Sequence, residues 1–263
     1  MSFFQNLYPL EQKIISSGNG DIYSTSTKVN GCEVIVKVAK WDKTQSQCPR
    51  EIIHNLRLNT LPGINKMLDF HYSIEPVPNR FGTYYIVCER KPMDLYSYLE
   101  KKELDEKQCK VILHKILQIL CEMGNRTGLM HMDIKEENVL IDPATMDVEL
   151  CDVEFCVPSC IEWVKCDKEG TLSYMAPECL GGKCCPLKSI VWSFGILTYS
   201  VLIGDVPWEC YKKGMHFKAD MYENLSQNAK DFISFCLQPD TRTRPSLLDL
   251  VTHPWFLSEE KDI

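Results

Sequence analysis

The sequence predicts an α+β fold of two lobes, a small β-rich N-lobe with one main helix and a larger α-helical C-lobe. Two patterns predict this fold. Short runs of β-branched and aromatic residues, such as 34–37 and 84–88, recur up to about Glu89 and are typical of buried strands. Beyond Pro92 the apolar residues recur at helical spacing instead. The chain has 263 residues, of which 44% are apolar, and this is enough for two lobes with a sizeable core.

The elements follow in chain order. A turn at 16–20 separates two apolar pairs and predicts a hairpin, and Pro62-Gly63 marks another turn. A helical pattern begins at Glu51. Asp105, followed three residues later by Gln108, is typical of a capping box at the start of a long helix. The apolar face predicted for this long helix consists of Ile112, Ile116, Ile119, Leu120 and Met123.

Composition excludes several classes of partner and location. The formal net charge of −7 argues against a nucleic-acid or anionic-membrane surface and suits a basic peptide. There is no signal-peptide pattern, Ser2 excludes myristoylation, and the apolar segment 190–203 is too short and too interrupted to span a bilayer. The fourteen cysteines are scattered, so we expect free thiols in a reduced intracellular protein. We expect a monomer in the cytoplasm, with the nucleus as a further location.

Residues 131–138, H-M-D-I-K-E-E-N, resemble the catalytic loop H-R-D-x-K-x-x-N of protein kinases, with Met132 in place of the arginine. The resemblance implies that Asp133 accepts the proton of the substrate hydroxyl. It implies that Lys135 steadies the transferring phosphoryl group and that Asn138 binds Mg²⁺.

Five further motifs occur in the order that a protein kinase requires. Lys37 ends V-I-V-K, which resembles the strand motif V-A-I-K, and Glu51 is its expected ion partner. Asp152 stands where the metal-binding Asp of D-F-G belongs. Three further stretches resemble the end of the activation segment, the central helix and the closing helices: 170–178, 191–197, and 244–246 with 253–256.

The catalytic loop and its continuation to Asp142, the hinge Glu89-Arg90 and the segments 191–197 and 204–207 are together similar to the Pim family of serine/threonine kinases. The resemblance covers almost the whole chain. It implies one protein kinase domain over 1–263, with an N-lobe of about 1–89, a hinge of about 89–93 and a C-lobe of about 94–263.

The same resemblance implies an ATP site with Mg²⁺ held by Asn138 and Asp152. The hinge contacts of adenine would be the C=O of Glu89 and the N–H of Lys91. The full predicted nucleotide site comprises Ile14, Ile15, Ser17, Gly18, Gly20, Ile22, Ile35, Lys37, Glu51, Glu89, Lys91, Asn138, Leu140 and Asp152.

Several departures from the family pattern leave a non-catalytic alternative open. The glycine-rich loop keeps one of three glycines, and Ile35 replaces an alanine beside the adenine. Glu154 replaces the glycine of D-F-G and either adds a metal ligand or repels phosphate, and we expect it to slow transfer. Val153 and Asn55 would loosen the apolar packing that holds Glu51 towards Lys37. The alternative is therefore a pseudokinase that acts as a binding or decoy module.

Met132 removes the cation that usually receives a phosphorylated activation loop, so we expect activity without phosphorylation of Ser159, Thr171 or Ser173. Thr171 is expected instead to bridge Asp133 and Lys135.

Two further expectations concern charged residues. Glu178 and Arg244 resemble the buried ion pair that anchors the end of the activation segment. Asp94, Glu137 and Asp205 match positions where Pim kinases bind arginines of the substrate, and Glu136 is expected to add charge beside them. These acids predict a basic, Arg-rich peptide or protein substrate.

Overall fold

The computed structural model describes residues 3–72, 80–165, 170–207 and 222–258. It contains two compact units, Met1–Pro92 and Met93–Ile263. The first unit is built on a β-sheet and the second is mainly helical, which confirms the predicted fold class.

The first unit is a five-stranded antiparallel sheet of order β1-β2-β3-β5-β4, with two helices. Its strands are β1 Lys13–Ser17, β2 Gly20–Val29, β3 Cys32–Asp42, β4 Met67–Tyr72 and β5 Phe81–Glu89. Its helices are α1 Phe3–Leu7 and α2 Arg50–Leu58.

Alternation along β3 and β5 gives this sheet two buried faces. One face consists of Val34, Val36 and Val87 and is covered by Phe4 and Tyr8, which belong to or follow α1. The other face consists of Ala39, Met67, Tyr84 and Ile86, and Ile52 packs α2 against it.

The predicted hairpin forms, with its turn confined to Gly18 and Asn19 between the paired residues Ser17 and Gly20. Gly20 has a φ of 127°, and a Cβ at this position would lie 2.7 Å from the backbone oxygen of Val38 on β3. Gly20 is therefore required by both its backbone conformation and the close approach of β3.

The second unit has seven helices among the described residues and several short strands. Its helices are α3 Leu95–Leu99, α4 Glu106–Thr127, α5 Pro177–Leu180, α6 Pro186–Ile203, α7 Gln227–Cys236, α8 Leu247–Val251 and α9 Pro254–Leu257. Its strands are β6 Met93–Asp94, β7 Leu129–Met130, β8 Val139–Asp142, β9 Asp147–Leu150, β10 Val157–Pro158, β11 Val164–Lys165 and β12 Lys183–Cys184.

Helices α4 and α6 form the core of this unit. The predicted capping box at Asp105 and Gln108 is present at the start of α4. Ile112, Ile116, Leu120 and Met123 of the predicted face are fully buried, and Ile119 is half-buried at its edge.

Helix α6 is apolar and 18 residues long, so by length and composition it could cross a membrane. However, 83% of it is buried inside the unit, which is typical of the core helix of a globular domain. Its Gly195 lies so close to α7 that a Cβ would be 2.6 Å from the Cβ of Cys236.

Candidate active site

In the first unit, Lys37 and Glu51 form the predicted ion pair. Strand β3 carries Lys37 and α2 carries Glu51, and Lys37 Nζ lies 2.7 Å from Glu51 Oε1. The side chain of Lys37 is 13% exposed and that of Glu51 is 4% exposed. Tyr84 on β5 donates a hydrogen bond of 2.6 Å to the other carboxylate oxygen of Glu51. Both oxygens of this buried carboxylate are thus satisfied, which fixes the direction of the Lys37 ammonium group.

Asn55, expected to loosen the packing around Glu51, is buried and hydrogen-bonded. Its side-chain amide donates to the backbone oxygen of Glu51 over 2.9 Å, one turn earlier in α2. This bond satisfies a polar side chain in an apolar environment, so Asn55 costs less than an unpaired amide would.

The predicted adenine-binding positions lie along three neighbouring strands. Ile35 on β3 pairs with Ser24 of β2 and with Cys88 of β5, and Ile22 pairs with Lys37. Burial raises the pKa of the Cys88 thiol to about 12, with Glu51 adding to the effect, so this cysteine is a neutral thiol at physiological pH.

The first unit also contains the residues predicted to lie above the nucleotide and the residues predicted to bind adenine at the hinge. Ile14 and Ile15 on β1 are each more than two-fifths exposed. At the hinge, the Glu89 carbonyl accepts a bond of 3.2 Å from the Asn65 amide, and Lys91 Nζ lies 3.2 Å from the Glu89 carboxylate. A carbonyl oxygen has two lone pairs, so that of Glu89 can still accept from adenine.

In the second unit, the predicted catalytic residues converge on the carboxylate of Asp133, which is 2% exposed. The Asn138 amide donates to Asp133 Oδ2 over 3.0 Å and to its backbone oxygen over 2.7 Å. Lys135 Nζ lies 3.7 Å from Asp133 Oδ2. Thr171 donates its backbone N–H to Asp133 Oδ1 over 2.7 Å. The expected role of Thr171 thus takes a different form, because the contact with Asp133 comes from the main chain.

His131 connects this loop to the end of β9. Its Nδ1 accepts the N–H of Asp133 over 3.3 Å, and its Nε2 lies 2.9 Å from the backbone oxygen of Cys151. Nδ1 accepts, so the proton must be on Nε2, which donates to Cys151. Burial lowers the pKa of His131, in agreement with a neutral ring that has a structural role.

Asp152 directly follows this anchor and has a φ of 57°, in the left-handed region that a non-glycine residue rarely adopts. A carboxylate oxygen of Asp152 lies within 4.8 Å of one of Glu154. The carboxylates of Asp152 and Glu154 and the side-chain amide of Asn138 all offer oxygen atoms as metal ligands. Oxygen atoms are the ligands that Mg²⁺ prefers. The donor set of this unit therefore fits a magnesium ion, and Glu154 adds a second negative charge beside Asp152.

The expectation that Glu136 adds charge to a substrate surface is wrong. Glu136 is 3% exposed, and the hydroxyl of Tyr174 donates a short hydrogen bond to its Oε2. Burial is the main cause of the raised pKa of Glu136, and hydrogen bonds from Ser200 and Tyr174 oppose that rise. Glu136 therefore connects the catalytic loop to the end of the activation segment.

The predicted Glu178–Arg244 pair is present and buried. The guanidinium of Arg244 donates to both carboxylate oxygens of Glu178, over 2.7 and 2.9 Å. Arg244 also donates to the backbone oxygens of Gln238 and Lys188, so its burial is well compensated.

Two of the predicted substrate-binding acids act electrostatically on the same tyrosine, Tyr96. Asp94 caps α3 by accepting from the backbone N–H of Ser97 over 2.7 Å. Tyr96 donates to Glu100 over 3.0 Å, and its pKa is raised by Glu100 first and then by Glu137 and Asp94. Glu100, Glu137 and Asp94 thus all raise the pKa of one half-exposed tyrosine, and we call these three acids the acidic cluster.

Glu100 of the acidic cluster was not predicted from the sequence, because it belongs to no motif.

The two remaining predicted positions are Asp205 and Leu140. Asp205 is exposed, and its carboxylate accepts the N–H of Val206 over 2.8 Å. Leu140 lies on β8, paired with Asp94.

The expectation that all cysteines are free thiols is wrong for one pair, because Cys179 and Cys184 are joined in a disulfide. Free thiols among the other described cysteines are those at positions 32, 48, 88, 109, 121, 160, 185 and 236. Cys166 and Cys210 lie outside the described residues.

Comparison with known proteins agrees with this geometry. The sequence model of the protein kinase domain matches residues 8–256. The chain is 29% identical to the serine/threonine-protein kinase pim-2 of Danio rerio, over 98% of this chain and 87% of that protein. It is 28% identical to ppk16 of Schizosaccharomyces pombe and to calcium-dependent protein kinase 3 of Plasmodium berghei, over 95% and 97% of this chain. It spans only 37% and 48% of those two relatives. The predicted resemblance is confirmed, and the chain belongs to the protein kinase family.

Proposed function

We propose that this protein is an active serine/threonine kinase that transfers the γ-phosphate of Mg-ATP to Arg-rich, basic substrates. The observation that carries the proposal is the environment of Asp133, whose carboxylate is buried and held by Asn138, Lys135 and the N–H of Thr171. A carboxylate fixed in this way is suited to accept a proton from an incoming hydroxyl.

The remaining residues have complementary roles in this proposal. Mg-ATP, when bound, supplies the phosphoryl group and the metal charge that stabilises it. Lys37, oriented by Glu51, would bind phosphate, and Asp152 with Asn138 would hold the metal. Lys135 would offset negative charge near the hydroxyl that Asp133 deprotonates.

The test is transfer of labelled γ-phosphate to an Arg-rich Ser peptide, with Asp133→Asn as the matched control. Asn preserves the size and shape of the side chain but cannot accept the proton, so we expect transfer to vanish in this variant. Transfer that persists in Asp133→Asn, or a folded wild type without transfer to several basic peptides, would contradict the proposal.

The acidic cluster supports the choice of a basic substrate. Glu137 is exposed and lies near Tyr96 together with Asp94 and Glu100, so a guanidinium group there would meet several negative charges. We expect Glu137→Gln to raise the KM for the Arg-rich peptide roughly two- to fivefold, as an exposed charge pair predicts, and to leave the KM for ATP unchanged. Glu122→Gln, which removes an exposed acid on α4, is the control. Equal effects of the two variants would refute this role.

We further propose that activity needs no phosphorylation of the activation segment. Met132 replaces the arginine that would pair with a phosphate, and it lines a cavity with Phe155 and Met175. Phosphatase treatment should therefore leave the transfer rate unchanged. A loss of most activity that returns on rephosphorylation would overturn this part of the proposal.

The close approach of Glu154 to Asp152 favours one alternative, a pseudokinase that binds a partner without turnover. A thermal-shift measurement with ATP, with and without Mg²⁺, separates a protein that binds nucleotide from one that does not, because only a ligand of the folded state raises the Tm. Stabilisation by Mg-ATP without transfer would favour the pseudokinase.

A further inference from the structure

A disulfide closes a short loop at the end of the activation segment. Cys179 lies in α5 and Cys184 ends β12, five positions later, and their Cα atoms are 4.6 Å apart. Both cysteines are buried, at 3% and 2% exposure. The bridge therefore joins two elements inside the unit.

The bridged elements are connected to the rest of the activation segment. Strand β12 pairs with β11, so that Cys184 lies opposite Val164. On the other side, Glu178 precedes Cys179 directly and forms the buried ion pair with Arg244. The bridge thus ties the β11–β12 pair to the residues that anchor the segment.

The two redox states of the pair would make different contacts. Cys179 Sγ lies 3.2 Å from the hydroxyl oxygen of Ser189, and that hydroxyl donates to Glu178 Oε1 over 2.9 Å. A thiol at Cys179 can donate to Ser189, whereas a disulfide sulfur has no proton to donate. Reduction therefore exchanges a covalent tether for a hydrogen bond that leads to the Glu178–Arg244 pair.

The surroundings leave room for this exchange. A cavity of about 50 Å³ is lined by both cysteines together with Met132, Phe155 and Met175. Two thiol sulfurs need more space than a disulfide, and a close-packed core would resist the change. The closed loop also contains Gly181 and Gly182, and glycine can adopt a wider range of backbone conformations than other residues.

We propose that Cys179 and Cys184 form a reversible thiol–disulfide site that controls how firmly the end of the activation segment is held. The co-reactant is a low-molecular-weight thiol such as glutathione. Because both sulfurs are buried, the loop 179–184 must open locally before one glutathione thiolate attacks the bridge and forms a mixed disulfide, which a second glutathione resolves. The Cys179–Cys184 bond breaks, the sulfur–sulfur bond of oxidised glutathione forms, and both cysteines take up a proton. Two electrons pass from the two glutathione molecules to the bridge.

The first test is a redox titration of the full chain in buffers of varied ratio of reduced to oxidised glutathione, quenched by alkylation. Trypsin cleaves after Lys183, so the two cysteines leave on separate peptides that stay linked only when the bridge is present. We expect the linked species to appear and disappear reversibly in the wild type and in Cys185→Ser, the matched control for the adjacent free cysteine. Cys184→Ser should give no such species. A bridge that never forms in the folded protein, or that resists reduced glutathione at every ratio, would overturn the proposal.

The second test measures the consequence of the bridge. We expect the oxidised wild type to melt on the order of 5 °C above the reduced form, because the closed loop constrains the unfolded chain. This difference should persist in Cys185→Ser and vanish in Cys184→Ser. Equal melting of the two wild-type forms would refute the coupling, and that comparison needs no variant to fold.

A third measurement rests on the proposed kinase activity. The KM for the peptide substrate should differ between the oxidised and reduced forms, while the KM for ATP stays the same. If neither form transfers phosphate, the proposed activity fails, and the titration and melting measurements still decide the redox site. If both forms transfer phosphate with one KM for the peptide, the control of the segment is refuted.

Discussion

The buried contact between Tyr174 and Glu136 makes a quantitative prediction about stability. Tyr174→Phe keeps the ring and removes only the hydroxyl that donates to Glu136 Oε2. Tyr174 and Glu136 are 6% and 3% exposed, so water cannot replace the lost donor without opening the structure. A hydrogen bond to a charged group contributes about 1.5–3 kcal/mol. For a chain of this size, that corresponds to a fall in Tm of roughly 3–10 °C.

The assay is thermal unfolding followed by circular dichroism, with Tyr96→Phe as the matched control. Tyr96 also donates to a glutamate, Glu100, but it is 51% exposed. Water can replace that donor, so we expect a change in Tm of no more than about 1–2 °C. Equal shifts in the two variants would show that the buried contact has no special energetic role.

The pH dependence tests the same contact from the side of Glu136. Its pKa in the folded protein is raised mainly by burial, so folding favours its protonated form. Its contribution to stability is complete below its unfolded pKa and is lost as the pH rises through the folded value. Tyr174→Phe removes a donor that favours the carboxylate, so its defect should be largest at neutral pH and shrink on acidification. Glu136→Gln should lack the loss of stability with rising pH. A defect of Tyr174→Phe that does not depend on pH would refute the reasoning.

Three further predictions concern charge and packing. Arg244→Ala leaves the carboxylate of Glu178 buried without its partner and should lower the free energy of unfolding by about 3–5 kcal/mol, measured by urea denaturation; a loss below 1 kcal/mol would contradict a buried pair. Gly195→Ala places a Cβ 2.6 Å from that of Cys236 and should cost about 1–3 kcal/mol in the same assay, whereas an unchanged midpoint would show that the helices can separate freely. Glu154→Gly removes a like charge near the metal ligands and should raise the transfer rate up to roughly tenfold. An unchanged rate and an unchanged nucleotide affinity would show that the Glu154 carboxylate does not affect catalysis.

The sequence predicted those parts of the site whose residue types are fixed by chemistry at fixed spacing. Lys37 with Glu51, and Asp133 with Asn138, belong to motifs that require a particular charge or amide at a particular position. Each pair is in hydrogen-bonding contact in the structure. The Glu178–Arg244 pair, although 66 positions apart, was predictable for the same reason.

The sequence could not predict contacts that depend on burial between distant segments. Glu136 stands beside Glu137 in the chain, and both look like surface acids, yet only Glu137 is exposed. The difference arises because Tyr174, 38 positions away, covers Glu136. Helix α1 was missed because five residues are too few to form a stable helix alone, and its stability comes from Phe4 packing on the sheet.

Met132 bears on how the end of the activation segment is held in place. An arginine at this position would let a phosphate on the activation segment bind the catalytic loop, and a methionine cannot. The segment is instead held at three places that need no phosphate. Tyr174 binds Glu136 of the catalytic loop, Glu178 binds Arg244, and the Cys179–Cys184 bridge closes the loop between α5 and β12. In our proposal a thiol can break the third contact, whereas the other two involve no disulfide. Since Met132 offers no cation to a phosphate, we expect regulation of this protein to follow the redox state of that bridge.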